Sequence, residues 1–521
     1  MKPSLIFKRL LFIYVSIIIP FFSTTFAREK TIRVMADRPV SSLPHFWNSF
    51  GIGHASLLFD PALRKHVEDG VRNLGMKYIR FHGILHDDMM IYREPSGKPK
   101  YSFKRSDEIF DFLISLGIIP IVEFGSMPED LAKDKSKTVF KWKQHISPPK
   151  NFQIWEDLIY RMVSHYKSRY GEGEIEKWYF EVWNEPELES FWSGTQEEYH
   201  KLYEHTLKGA KRAWPGIRIG GPTPSGPWKF SKIDDLLKFV RTVETAPSEN
   251  YSKIDFISFH SWNWIKDNVE SPDLIFQILG RFKEYPDLEI LNTEWGPTWQ
   301  FNLDPQPQET LRGASFVVNV ISDIARISYE KGIPFPKTYT YWVLSDIFEE
   351  GTYREEYPFI GCMGLISREG IYKPPYNAFR MLDMLGSTIL KTEISSDDIP
   401  VGAIATKGEW EDDVSLLIYN GGYDKTGSDQ VHLKIEGMPF ERGRYSIYRL
   451  DQDHGNSYAR WKSMGSPKKR DMSESDWKTL RDSMTISPSP DKEEISLKGG
   501  FFEEKYNIVK EGVVLIRISP L

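Results

Sequence analysis

The chain has 521 residues, 40% hydrophobic and 27% charged, the proportions of a globular protein with room for one barrel-sized core and a smaller second domain. A net charge of −6 with no basic stripe excludes a nucleic-acid footprint. The single cysteine, Cys362, excludes an intramolecular disulfide and any cysteine-built zinc site; in the apolar run 359–364 it reads as a buried thiol.

In chain order, Lys2, Lys8 and Arg9 precede an apolar stretch over 10–22, and Thr25-Phe26-Ala27 closes it. A positive flank, a short apolar centre and a small-x-Ala end are the parts of a cleavable export signal over 1–27. About 13 apolar residues fall short of the roughly 20 that a spanning helix needs. The mature protein is therefore expected to be secreted or periplasmic, with no membrane span. Residues 28–44 hold a lone alternating strand at Thr31-Ile32-Arg33-Val34 and a loop with Pro39 and Pro44, and are expected to join the second domain.

From residue 45 to 390 the pattern is strand, loop, helix, repeated. Candidate strands are 49–54, 77–83, 118–125, 178–184, 218–221, 254–260, 289–294 and 338–344. Amphipathic stretches at 60–74, 106–116, 152–170, 197–213 and 310–330 carry apolar residues at helical spacing, and Gly75, Gly117, Gly171 and Gly332 stand where helix C-caps belong. Strands alternating with helices predict a parallel sheet, and eight such units predict an α/β fold of the (β/α)8 TIM-barrel type. A doubly wound open sheet would need a glycine-rich phosphate turn, and Gly51-Ile52-Gly53 lacks its third glycine. Residues 391–521 change character: short alternating runs at 403–405, 414–419, 431–435, 445–450, 495–497 and 513–518 are separated by polar turns, which predicts a C-terminal β-sandwich. The charged stretch 473–484 between them reads as a surface helix.

Two strand ends carry the chemistry. One run ends in Trp183-Asn184-Glu185-Pro186, the other in Asn292-Thr293-Glu294-Trp295-Gly296. Carboxyls on two strand tips, bedded in tryptophan, point to cleavage of a glycosidic bond, which needs one carboxylate as nucleophile and one carboxylic acid as proton donor. Glu185 suits the acid/base, since Trp183 and Pro186 would desolvate it and raise its pKa. Glu294 suits the nucleophile, and Arg80 could supply the charge that keeps it ionised. Trp295, Trp299 and Trp342 are candidate stacking walls. His86-Asp87-Asp88 reads as a hydrogen-bonded loop, because three adjacent residues cannot easily all turn to one metal ion. No metal or organic cofactor is expected.

The finer pattern resembles glycoside hydrolase family 39, the family of β-xylosidases and α-L-iduronidases. Phe46-Trp47 with Gly51-Ile52-Gly53-His54-Ala55 is similar to its opening, and 78–83 followed by His86-Asp87-Asp88-Met89 to its second strand and loop. The segment 183–187 with Phe191-Trp192 is similar to its acid/base segment. Tyr341-Trp342 with 345–350, Gly364-Leu365-Ile366, Lys373-Pro374 and Asp453-His454-Gly455-Asn456 resemble the β-xylosidase branch. The resemblance implies Glu185 as acid/base, Glu294 as nucleophile, and a non-reducing-sugar subsite lined by His54, His82, Asn184, His260 and Glu349, with Trp262 beside them. The chain departs from that branch at Phe259, at Ser261-Trp262 and at Trp295-Gly296-Pro297, positions that shape the sugar pocket. Asn263 and Trp264 do not supply the lysine of the iduronidase branch, though Lys266 is near. The expected activity is that of a retaining, exo-acting β-D-xylosidase on xylo-oligosaccharides or related plant glycans. The alternatives are another sugar, such as an α-L-iduronide, or a non-catalytic glycan-binding protein. A homo-oligomer is compatible with the second domain.

Overall fold

The computed structural model describes residues 29–521 apart from 227–228, 244–251, 263–279, 282, 284–285, 351–352, 396–399, 409–411, 424–425 and 492. The expected export signal and Asn263, Trp264 and Lys266 lie outside the described residues.

The first described strand, β1 (Glu29–Ser42), belongs to the C-terminal sheet. Eight parallel strands then close a barrel: β2 (Ser49–His54), β3 (Tyr78–His82), β4 (Ile119–Phe124), β5 (Tyr179–Val182), β6 (Ile219–Pro222), β7 (Phe256–Trp262), β8 (Glu289–Gly296) and β9 (Thr338–Tyr341). Closure runs through the pairing of Tyr341 with Phe50. The eight barrel strands fall where the buried apolar runs place them, since strands covered by helices need apolar residues on both faces. Five of the surrounding helices are α1 (Pro61–Leu74), α2 (Lys104–Ser115), α3 (Phe152–Tyr170), α4 (Gln196–Ala213) and, after the described helix α5 (Phe230–Thr242), α6 (Leu311–Lys331). Their ends follow the local chemistry. Asp60 accepts from the N–H of Ala62 at the start of α1, and Thr195 with Glu198 forms a capping box on α4. Gly75 and Gly332 close α1 and α6 at φ of 58° and 59°, which only glycine adopts freely.

The barrel interior is graded along its axis. Tyr78, Ile121, Tyr179, Phe256 and Leu291 form an apolar plug, whereas Arg80, His82, Glu123 and Glu181 are buried polar groups of the interior. Chemistry is thereby confined to the end of the barrel where the strands terminate.

The helix α7 (Pro374–Asp383) leads into β10 (Thr388–Ile394), ahead of the expected border at 390. The sheet continues with β11 (Val401–Lys407), β12 (Val414–Asn420), β13 (Ser428–Glu436), β14 (Arg442–Leu450), β15 (Glu493–Ser496), β16 (Phe502–Val509) and β17 (Val513–Pro520). These strands and β1 form one nine-stranded sheet in the order β15-β14-β17-β12-β11-β10-β1-β13-β16. The sandwich is thus a single sheet curled over its own core. Tyr445 on β14 and Tyr506 on β16, near opposite ends of that order, meet hydroxyl to hydroxyl at 2.5 Å. Strand β1 pairs antiparallel with β10 and parallel with β13, and its register shifts around Pro39, which has no N–H to give the ladder. No helix among the described residues is long and apolar enough to cross a membrane.

Candidate active site

A cleft of about 480 Å³ opens at the strand ends, and Asn184, Glu185 and Glu294 line it together with His82, Trp262, Trp299 and Trp342. Glu185 follows β5, the fourth barrel strand, and Glu294 lies on β8, the seventh. Beyond β5 the backbone enters a turn in which Trp183 and Glu185 take φ of 70° and 43°. Such left-handed positions cost of order 1–3 kcal/mol each for residues with a side chain. The N–H of Glu185 is held by the carbonyl of Thr223 at 3.1 Å.

Arg80 organises the floor. It is fully buried, and its guanidinium donates to Glu181 at 2.8 Å, Glu294 at 2.6 Å, Glu123 at 2.9 Å and Oδ1 of Asn184 at 2.8 Å. The Asn184 oxygen is therefore committed to Arg80, and its NH2 is the end available to a sugar hydroxyl. Glu181 also accepts from the hydroxyl of Thr293. His82 bridges Glu123 at 2.6 Å through Nδ1 and Glu294 at 3.4 Å through Nε2. Burial opposes its charge, but Glu123 and Glu294 outweigh burial and raise its pKa well above the usual value. The two carboxylates thus favour the imidazolium form of His82.

The two candidate catalytic carboxyls are pushed apart. Burial, and then the charge of Glu294, raise Glu185 well above the ordinary carboxyl range. Burial also acts against ionisation of Glu294, but His260, His82 and Arg80 outweigh it and bring Glu294 to about 2. Burial holds His260 itself neutral, at about 3, so Arg80 and His82 are the charges that act on Glu294 at neutral pH. His260 Nδ1 lies 2.7 Å from Glu185 and 3.6 Å from Glu294. One oxygen of each carboxyl and this ring nitrogen all lie within 4.8 Å of one another.

The other expected residues divide. His82, Asn184, Trp262, Trp299 and Trp342 line the cleft, and the Trp342 ring lies 4.8 Å from that of His82. His260 reaches the cleft through the two glutamates. Three residues are not among the described ones that line it. His54 is buried under Trp142, ring to ring at 4.3 Å, and its Nδ1 accepts from the N–H of Ser56. Glu349 is buried against Gly53, where an added Cβ would fall 1.9 Å from Oε2, and it is pushed up to about 7 by burial. Trp295 packs on Tyr339 and Tyr341 and donates to the Tyr339 carbonyl. It lies in the barrel's outer layer, where its ring also meets Phe316 of α6 and Phe379. The His86-Asp87-Asp88 loop is bonded within itself and to its neighbours: His86 to Asp88 at 2.8 Å, and Asp87 to Arg93 and to the N–H of Glu129.

Sequence reading did not pick out Glu350, Glu123 and Glu181. Glu350 lines the cleft and stands 3.8 Å from His82, held well above the ordinary range by burial and by Glu349. Glu123 and Glu181 were visible only as acidic residues inside apolar strands, a combination that requires a buried cation.

The family model for glycosyl hydrolases family 39 matches residues 30–492. A β-xylosidase of Caldicellulosiruptor saccharolyticus is 33% identical over 463 residues, 84% of this chain and 89% of that protein. An α-L-iduronidase of Mus musculus is 25% identical over 493 residues, 84% of this chain and 73% of that protein. The crystal structure of a monomeric β-xylosidase from Caulobacter crescentus superposes with a TM-score of 0.80 at 25% identity, over 94% of this chain and 99% of that one.

Proposed function

The chain belongs to the glycosyl hydrolases of family 39, and from that premise we propose that it is a retaining, exo-acting β-D-xylosidase. It releases xylose from the non-reducing ends of xylo-oligosaccharides or related plant glycans, after export through residues 1–27. The observation that carries the reading is the pair of buried carboxyls in one cleft, one raised and one depressed in pKa, with oxygens within 4.8 Å. Retaining glycosidases hold their carboxyl groups about 5–5.5 Å apart, whereas inverting ones leave roughly 6.5–9.5 Å for a water.

The steps follow from the protonation states. Ionised Glu294 attacks the anomeric carbon while protonated Glu185 gives its proton to the leaving oxygen, so the glycosidic bond breaks as the glycosyl–Glu294 ester forms. Glu185, now ionised, takes a proton from water, and the resulting hydroxide displaces Glu294 and frees the sugar. Arg80 and His82 stabilise the Glu294 carboxylate in the free enzyme and again as it leaves.

An α-L-iduronide is the second reading, favoured by the murine relative. Against it, the cations at the floor of the described cleft, Arg80 and His82, are already bound to carboxylates. Glu294, ionised in the same cleft, would repel a uronate. Hydrolysis of an aryl β-D-xyloside beside an aryl α-L-iduronide, with Glu294→Ala as control, tests the proposal. Release of β-D-xylose as the first-formed anomer, abolished in the variant, is expected. Cleavage of the iduronide alone, or inverted α-D-xylose, overturns it.

A further inference from the structure

The cleft extends past the glutamates into a part with a different character. Two apolar groups line it as walls, Phe140, Leu188 and Phe191 from one stretch of loops and Trp299, Phe301 and Met363 from another. The first wall shares its turn with the acid/base. The N–H of Leu188 donates to the Glu185 carbonyl at 3.0 Å, and that of Phe191 to the Leu188 carbonyl at 2.9 Å. Trp183 Nε1–H holds the Phe191 carbonyl at 2.9 Å, and Phe140 packs on Phe191 at 5.7 Å. This wall is thereby tied to the residue that protonates the leaving oxygen. The second wall joins two loops, because the N–H of Asn302 donates to the Gly361 carbonyl at 3.0 Å, and Phe301 is backed by Phe348 and Tyr353. Trp299 is 51% exposed at the mouth. A sugar ring presents hydroxyls around its whole edge, and each loses free energy if it leaves water without a partner. Among the described residues, His82, Asn184 and the carboxyls aside, the polar groups that line the cleft are the hydroxyls of Ser190 and Ser225 and the indole N–H groups of its tryptophans.

We propose that this part of the cleft is an aglycone subsite for an apolar alcohol, aromatic or alkyl, so that the preferred substrates are glycosides with an apolar leaving group rather than a second sugar. The proposal rests on the glycosidase reading but not on the identity of the glycone, and it ranks apolar glycosides above the xylo-oligosaccharides named in that reading. Apolar surface leaves water on both walls when such a group binds, whereas a second pentose strips its hydroxyls of water.

Two measurements on the full chain test it. In the first, 2-naphthol is titrated calorimetrically without any sugar. Saturable binding is expected, weakened at least tenfold in Phe191→Ser and in Phe301→Ser, with circular dichroism checking that each variant folds. No saturable binding, or equal binding by folded variants, overturns the subsite. In the second, methyl and octyl β-D-xyloside, whose alcohols leave with similar ease, are compared with xylobiose. A KM for the octyl glycoside at least tenfold below that for the methyl one, and below that for xylobiose, is expected; equal values, or the lowest KM for xylobiose, overturn the proposal. If none of the xylosides is cleaved while naphthol binds, the β-xylosidase reading falls and the apolar subsite stands.

Discussion

Glu185 and Glu294 are chemically identical side chains within a few ångströms of each other, and their neighbours give them opposite tasks. Arg80 and His82 are bonded to Glu294 and not to Glu185, so one carboxyl is ionised in the dark of the barrel and the other keeps its proton. The replacement Glu185→Ala should lower kcat/KM for xylobiose by about 10²–10⁴-fold and that for an aryl xyloside by far less, since a phenolate leaves without a proton. Steady-state kinetics on both substrates measures the difference, and equal losses would remove Glu185 from the acid role. The pH profile follows from the same pair. Glu294, at about 2, is ionised above that pH and sets only the acid limb. Glu185 is raised, so it is active below its pKa and loses its proton, and the activity, as pH rises. The alkaline limb of kcat/KM should therefore belong to Glu185 and vanish in Glu185→Ala on an aryl xyloside. The roles expected of these two residues could be read from Trp-Asn-Glu-Pro and Thr-Glu-Trp, because each motif fixes a strand tip. The surroundings of His54 and Glu349 could not, since neither residue's sequence context shows which neighbouring loop packs on it.

At the scale of elements, the loop after β9 is pinned by a buried charge cluster. Lys373, immediately before α7 and wholly buried, lies 2.7 Å from Asp346 and 3.3 Å from Glu309. That loop carries Glu350 and Met363 into the cleft. Lys373→Met should cost about 3–5 kcal/mol by leaving buried Asp346 without its cation and Glu309 with Arg354 alone, at 3.7 Å, read as a shift in the denaturant midpoint. Gly53→Ala would place a Cβ 1.9 Å from Glu349 and 2.7 Å from Phe348. It should displace the same loop and raise KM more than it lowers kcat, and unchanged kinetics would show that Glu349 has room to withdraw. The barrel strands were legible because each is a buried apolar run between breakers. Helix α5 was not, although Ile233, Leu236 and Val240 carry its period, because Pro222, Pro224 and Pro227 just ahead mark a loop. The curling of the second sheet was also hidden, since alternation tells which residues face inward but not which strand edges meet.

Over the whole molecule the barrel and the sheet share one apolar core. Ile404, Leu417, Tyr419, Val513 and Leu515 of the sheet belong to the same cluster as Phe316, Val317, Val320 and Ile324 of α6, and Ser315 on that helix donates to the Asn420 carbonyl at 2.8 Å. Two bodies joined this way should unfold together. Calorimetry is expected to show a single endotherm, and two separated transitions would mean that the shared core does not couple them. Removing residues 391–521 would strip α6 of this cover and leave an aggregating barrel rather than a smaller enzyme.

Strand β1 has a consequence for the order of events during synthesis. Arg33 binds Glu436 across 403 positions of chain, and at about 5–20 residues per second roughly 20–80 s pass between the making of the two. For that interval the first strand waits without its parallel neighbour while the barrel is being completed behind it. Its charged residues Glu29, Lys30, Arg33, Asp37 and Arg38 are the kind that discourage a solitary edge from pairing with the wrong chain. The sheet is thus closed by its first strand: β1 is made before every other strand and is among the last to find its place, and a polypeptide released short of β13 carries an open seam.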